Sequence, residues 1–217
     1  MPHAPIRLDA LRSLLAARFP EKSRGRGAPV RTGVAGIDAA LGGGLPAGRL
    51  TELVSPAAST GGQTVLTRLL VSSRAARQRV ALVDAADGFA PEAVPADALR
   101  HLVWVRATAL ADALEAADLL VRDGNYAAVV LDLRGVPERP LRRIPASGWY
   151  RLQRAAEGGP AAVLVQTPFG LVPAVPWRLV LGAPRTLADA GLPQEAIAAG
   201  IGVEVVRGHE SAREQAG

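Results

Sequence analysis

Apolar residues along the chain fall into two alternating patterns. Short, mostly apolar runs occur at 50–54, 79–84, 101–105, 127–133, 161–166, 177–181 and 201–206. Between them, apolar residues recur every three or four positions. Examples are Val65, Leu66, Leu69 and Leu70 in 62–77, and Leu110, Leu114, Ala117 and Val121 in 109–122. The runs predict buried strands and the spaced stretches predict helices, with further helices at 92–99 and 148–156 and a short one from Gly36. Buried strands alternating with helices predict an α/β fold, a mostly parallel sheet covered on both faces. Ligands in such sheets bind beyond the carboxyl ends of the strands. That edge carries the loop 55–64, Asp84, Asp132 and Gln166.

The ends of the chain are organised differently. Ile6, Leu8, Leu11, Leu14, Leu15 and Phe19 have the spacing of an amphipathic helix over 5–19, stopped by Pro20. Such a helix packs on its own domain or docks on a partner, and Ile6, Leu8, Leu11, Leu15 and Phe19 would form the docking face. A charged, Gly-rich linker follows at 21–31, then a domain over 32–210 and a polar tail at 211–217.

Composition narrows the chemistry. Apolar residues make up 49% of the 217, enough for one sizeable core. Cysteine is absent and the three histidines are scattered, which excludes disulfides and argues against a metal centre. No signal-peptide pattern or bilayer-length apolar run is present, so a cytoplasmic protein is expected, without a membrane partner and with nucleoid association as an extension. The net charge of +5 permits a polyanionic partner.

The stretch 49–67, RLTELVSPAASTGGQTVLT, reads as strand, small-residue loop and helix start. That is the layout of a phosphate-binding loop, whose backbone N–H groups and positive helix end hold an anion. The chemistry departs from the pattern G-x-x-x-x-G-K-[ST]. Counting back from Gly62, Gln63 and Thr64, the first Gly is Ala57 and the Lys is Gln63. The sole lysine of the chain is Lys22, upstream of the strand, so no lysine from this loop can reach a phosphate.

Together these pieces resemble the RecA-like recombinase core over roughly 30–210. TGVAGIDAALGGGLPAGRLTELVSP is similar to the approach to the RecA P-loop. VALVDAADGFAP resembles the segment that carries the catalytic glutamate, AAVVLDL the Walker B strand with Asp132 as its aspartate, and AVLVQT the strand ending in the γ-phosphate-sensing glutamine, here Gln166. VEVVRGHE resembles a later strand whose basic residues reach a neighbour's nucleotide, with Arg207 and His209 in place. By this resemblance Ala57, Gly62, Gln63, Thr64, Asp132 and Gln166 form a degenerate nucleotide site. The catalytic Glu position falls on Ala86, with Asp87 shifted by one, and the loop is longer than RecA's. Losing the phosphate cation and the general base together argues against ATP hydrolysis and against any catalytic residue. Asp132 and Gln166 then read as polar strand ends retained from the fold, and Gln63 as an exposed residue of the first helical turn.

A short RecA-like chain with a lapsed ATP site resembles the ImuA-type (SulA/ImuA-like) proteins. That resemblance implies a non-catalytic accessory role in damage-induced, error-prone translesion DNA synthesis. The implied partners are RecA, an inactive relative of Y-family polymerases and an error-prone replicative-type polymerase. No cofactor is expected; ATP with Mg²⁺ enters only if the degenerate loop still binds it. The rival readings are a divergent ATPase or nucleotide switch, using Thr64 and Asp132 for Mg²⁺ and an arginine for the missing lysine, and a cell-division regulator.

One further segment carries chemistry. Between 134 and 154 stand Arg134, Arg139, Arg142, Arg143, Arg151 and Arg154 against one acid, Glu138, with Trp149 and Tyr150 among them. Arginines with neighbouring aromatics suit single-stranded DNA, charge for phosphates and ring faces for bases. The structural alternative is an Arg-rich surface loop with Trp149 buried as a core anchor. A second loop, 167–176, is short and uncharged and contains Phe169.

Overall fold

A computed structural model describes residues 27–207, except 158, 187, 188 and 190. The helix expected at 5–19, most of the linker, His209 and the tail lie outside the described residues.

The elements in chain order are α1 (Ala35–Ala40), β1 (Leu50–Val54), α2 (Gly62–Ala75), β2 (Val80–Asp84), a 3₁₀ turn (Pro91–Ala93), α3 (Ala96–Leu99) and β3 (Leu102–Arg106). There follow α4 (Leu110–Asp123), β4 (Ala128–Asp132), α5 (Glu138–Leu141), α6 (Ala146–Glu157), β5 (Ala162–Thr167), β6 (Trp177–Leu181), α7 (Gln194–Ala199) and β7 (Val203–Arg207). The strands form one sheet of order β3-β2-β4-β5-β1-β6-β7. Every pairing is parallel except β6 with β7. The expected α/β architecture is present, with an antiparallel strand at one edge.

Two core clusters explain why the inner strands read as continuous apolar runs. On one face Leu53, Leu82, Val130 and Leu164 meet Val65, Leu66 and Leu69 of α2, together with Ile37, Ala98 and Ala198. On the other, Val83, Val129, Leu131 and Val163 meet Ala113, Ala117 and Val121 of α4, Leu141 of α5 and Trp149 and Leu152 of α6. Strand side chains alternate between these faces, so both parities must be apolar.

Local departures have local causes. The helix expected at 92–99 is broken by Pro95, which removes a backbone donor, leaving a 3₁₀ turn and one short helix. The short helices α5 and α7 were not expected from periodicity, each having too few residues to show it. The end of the expected linker is docked rather than free. Val30 is buried and exchanges backbone hydrogen bonds with Leu45 at 2.9 and 2.8 Å. Gly44 permits this approach: at φ 140°, a Cβ there would lie 2.5 Å from the Val30 carbonyl oxygen. The turn before α1 is held by Asp38, which accepts from the Thr32 amide and hydroxyl at 2.8 and 2.7 Å and from the Gly33 amide at 3.2 Å.

Among the described residues no helix is long and apolar enough to cross a membrane.

Candidate functional site

The parallel register sets the site. Leu53 pairs with Gln166, Gln166 with Asp132 and Asp132 with Asp84, so one row crosses four strands near their carboxyl ends. Strand alternation puts all four on the face that α2 covers, because Leu82, Val130 and Leu164 two residues earlier pack there. The row therefore stands at the start of α2, under the loop 55–61.

That loop, with Asp84 and Asp132 of the row, lines a cleft of about 940 Å³. Ser55 to Thr64, Asp84, Ala86, Gly88, Asp132, Arg134, Arg185 and Asp189 contribute to its wall. The Ser55 amide donates to the Thr167 carbonyl at 2.8 Å, extending β1 one step. The Thr60 hydroxyl donates to the Ala57 carbonyl at 2.9 Å and closes the bend. Gly61 precedes α2 with φ 110°, and no side chain caps the helix. The first amides of α2 thus keep their donor capacity toward the cleft.

Arg134 is the main departure from the expected site. Two residues past Asp132, it turns back onto it. Its Nε and Nη2 donate to the two carboxylate oxygens at 2.9 and 2.5 Å, and its backbone amide adds a third bond at 3.1 Å. Asp132 is 5% exposed and Arg134 20%. The remaining nitrogen, Nη1, lies over the helix start, where a Cβ on Gly62 would stand 2.5 Å from it and 2.7 Å from Ser55 Oγ. A cation is therefore present at this loop, supplied from the end of β4 and not by the loop itself.

Both oxygens of Asp132 are held by Arg134, so this carboxylate is not free to take a magnesium ion. Asp84 is also engaged: it accepts from the amides of Ala86, Gly88 and Phe89 at 3.2, 3.1 and 2.9 Å, shaping the loop after β2. That loop presents Ala86 to the cleft, whereas Asp87 pairs with Arg106 through bonds of 2.7 and 2.5 Å. The hydrogen bonds from Arg106 hold the Asp87 carboxyl below its ordinary value. No carboxylate stands free to act as a general base at position 86.

The other predicted residues separate. Gln63 is not fully exposed: its Nε2 is buried without a partner. Gln166 is wholly buried and neither amide atom has a partner. Ser55 Oγ and Arg185 Nε are likewise buried and unpartnered, and neither was singled out from the sequence. Trp149 is 1% exposed, in the cluster beneath α6, so it offers no ring face to DNA; its spacing with Leu152 and Ala156 already put it on the buried stripe. Tyr150 is 48% exposed instead. Arg139, Arg142, Arg143, Arg151 and Arg154 are exposed. Arg142 pairs with Glu138 at 2.5 Å and stacks on Phe169 at 4.5 Å, and Arg151 reaches Asp118 at 3.3 Å. Ile6, Leu8, Leu11, Leu15 and Phe19 lie outside the described residues.

The loop after β5 is organised by a group absent from the sequence reading. Glu52, fully buried in β1, faces its register partner Arg178 of β6 and accepts from its Nε at 2.6 Å. It also accepts from the Thr167 hydroxyl and from the amides of Leu171 and Val172 at 3.1, 2.6 and 3.1 Å. A lone carboxylate in a buried strand was the available signal.

Known proteins bear on the site at this point. No protein-family model matches the chain. The chain is 37% identical over 151 residues to Protein RecA of Mycobacterium marinum, covering 61% of this chain and 42% of the relative. It is 37% identical over 149 residues to Protein RecA of Nocardia farcinica, covering 59% and 42%. It is 34% identical over 119 residues to Protein RecA of Rubrobacter xylanophilus, covering 53% and 34%. The chain spans less than half the length of these curated relatives. The mostly parallel sheet with its flanking helices and the likeness to these relatives agree: this chain carries a RecA-like α/β core.

Proposed function

We propose that the chain is a non-catalytic RecA-like accessory protein in damage-induced, error-prone translesion DNA synthesis, an adaptor between RecA and polymerase components. The observation that carries the non-catalytic part is the Arg134–Asp132 pair. It occupies the carboxylate that a metal-dependent phosphoryl transfer would need, beside a loop without lysine and a wall with alanine at position 86. The partners follow from the resemblance to ImuA-type proteins and from the RecA relatives. An inactive Y-family polymerase relative and an error-prone replicative-type polymerase complete the set. The exposed arginines of α5, α6 and the turn between them suit a single-stranded DNA contact.

Two measurements on the purified chain test this reading. ATP turnover with Mg²⁺ should stay at background, and the chain should sediment with RecA on single-stranded DNA. Turnover that Asp132→Ala abolishes would overturn the non-catalytic part. Failure to sediment with RecA would overturn the adaptor.

A further inference from the structure

The connection between β5 and β6, residues 168–176, has no charge and no helix or strand, yet it is held at four points. Glu52 accepts from the amides of Leu171 and Val172 at 2.6 and 3.1 Å. Arg178 donates from Nη2 to the Val172 carbonyl at 2.8 Å, and its guanidinium lies against the backbone at Gly170, where a Cβ would stand 3.3 Å from Cζ. Gln153 of α6 donates from Nε2 to the Pro173 carbonyl at 3.2 Å. The fourth point is Phe169, whose ring takes the Arg142 guanidinium at 4.5 Å. Val172 and Val175 are buried. Buried side chains and buried hydrogen bonds make such a segment costly to open.

Two of these points reach the arginine segment. Arg142 directly follows α5, and Gln153 lies one turn beyond Tyr150 on α6. α5 has four residues, too few to hold itself as a helix, and sends one buried side chain, Leu141, into the core. Arg142 fastens it from outside. Its Nε pairs with Glu138 at 2.5 Å while its guanidinium rests on Phe169, a cation–π contact. The exposed Arg139 and Arg143 stand on either side of this fastening. Phe169 itself is partly buried against the cluster beneath α4 and α6. With Arg142 over its ring and its body packed on the core, it is placed to hold an arginine and not to stack on a base.

We propose that the loop 168–176 is a fixed brace for the arginine segment and that Phe169 is a positioning residue, acting on single-stranded DNA through Arg142 and meeting no base itself. The inference rests on the DNA contact proposed above. It gives the uncharged loop a part in that contact without a phosphate or a base of its own.

Anisotropy of fluorescein-labelled oligothymidine with the full chain, beside trypsin digestion, tests it. Phe169→Leu keeps an apolar side chain and removes the ring. It should melt cooperatively and weaken binding roughly twofold to fivefold, the ratio that a partly exposed cation–π contact sustains. The salt dependence should stay as in the wild type, because no phosphate contact is lost. Trypsin should cut faster after Arg142 and Arg143. Phe169→Trp, which restores a ring, should bind and resist trypsin as the wild type does. In an Arg142→Gln background Phe169→Leu should change nothing further, since the two side chains act as one contact. A further loss there would mean that the ring meets a base, and would overturn the inference. So would wild-type affinity and wild-type cleavage in a folded Phe169→Leu. If Phe169→Leu does not fold, Arg142→Gln decides alone: the same loss at unchanged salt dependence supports the brace, and a reduced salt dependence shows a phosphate contact and overturns it. A wild type that binds no oligothymidine refutes the DNA contact itself, a failure seen before any variant is compared.

Discussion

Arg134 grips Asp132 with two guanidinium nitrogens and its backbone amide, three hydrogen bonds in all, at the carboxyl end of β4. The pair is nearly buried on the carboxylate side, so its partners depend on each other. Arg134→Met should leave Asp132 as an uncompensated buried charge and destabilise the fold by about 2–4 kcal/mol, near the range for one broken partner of a buried pair. The double change Arg134→Met with Asp132→Leu should recover most of that loss, since two apolar groups leave no charge unpaired. Urea unfolding of both variants checks the ordering. If the double variant is no more stable than the single one, the pair is not the coupling unit.

Glu52 is the deeper polar anchor. It is fully buried and accepts four hydrogen bonds, two of which hold the loop after β5. Removing it leaves Arg178 and two amides without their acceptor. Glu52→Ala should cost about 3–5 kcal/mol, and should make 168–176 a new site of proteolytic cleavage. Glu52→Gln keeps part of the hydrogen bonding and should fall between. Limited proteolysis with mass mapping, beside a denaturant melt, separates loop release from global loss.

Much of the fold was legible because physics repeats itself along the chain. β2, β4 and β5 are buried on both faces, so each is a continuous apolar run ending in polar residues. The row Asp84, Asp132 and Gln166 could be anticipated from those ends. What Arg134 does was not legible. Its spacing of two from Asp132 was plain, but a loop residue's direction is set by the turn and by what it meets, not by periodicity. Asp87 illustrates the same limit: its left-handed φ of 52° takes it to Arg106, across the neighbouring strand. Glu52 was hidden for another reason. In a strand of five buried residues, its partner lies 126 positions away in sequence, on β6.

Two glycines in one turn should respond differently to alanine. At Gly44, φ is 140° and the new Cβ would meet the Val30 carbonyl at 2.5 Å, so the docked end of the segment before α1 must move. At Gly42, φ is 70° and nothing lies within 4 Å. Gly42→Ala should therefore cost only the left-handed strain, about 1–2 kcal/mol. Gly44→Ala should cost more and should also free Val30, seen as faster amide exchange at Val30 and Leu45. Equal destabilisation by the two would show that the contact is not limiting.

Acid sensitivity should trace to surface pairs at the β3 edge. Hydrogen bonds from Arg106 to Asp87, and from Arg74 to Asp97, hold both carboxyls below their ordinary value of 3.8. A depressed folded pKa gives stability that is fully present above 3.8 and is lost as pH falls through the folded value. The two pairs therefore contribute at neutral pH and fade below 3.8. Asp87→Asn and Asp97→Asn should lower stability at pH 7 slightly and flatten its fall on acidification. Salt should weaken the wild-type contribution, because both pairs are exposed. Carboxyl NMR titration reads the pKa directions; a pKa at or above 3.8 for either group would remove the basis of the prediction.

The proposed DNA contact separates two adjacent aromatics. Trp149 fills the core under α6 at 1% exposure, while Tyr150 turns outward at 48% beside exposed Arg151 and Arg154. Trp149→Ala should thus act on folding, costing about 3–5 kcal/mol for a large buried ring, and should affect DNA only through that loss. Tyr150→Ala should leave the melt within experimental error and weaken binding of fluorescein-labelled oligothymidine, because base stacking on one aromatic contributes about 1–3 kcal/mol. Charge reversal at Arg139 and Arg143 should weaken binding further and reduce its salt dependence, since each arginine that meets a phosphate releases a counterion. Arg142 is a poorer choice for this test, being held by Glu138 and Phe169. Anisotropy at two salt concentrations gives both affinity and slope. If Tyr150→Ala and the Arg139, Arg143 reversals bind as the wild type does, the arginines of 134–154 are a solvated surface and the chain meets DNA, if at all, through its partners.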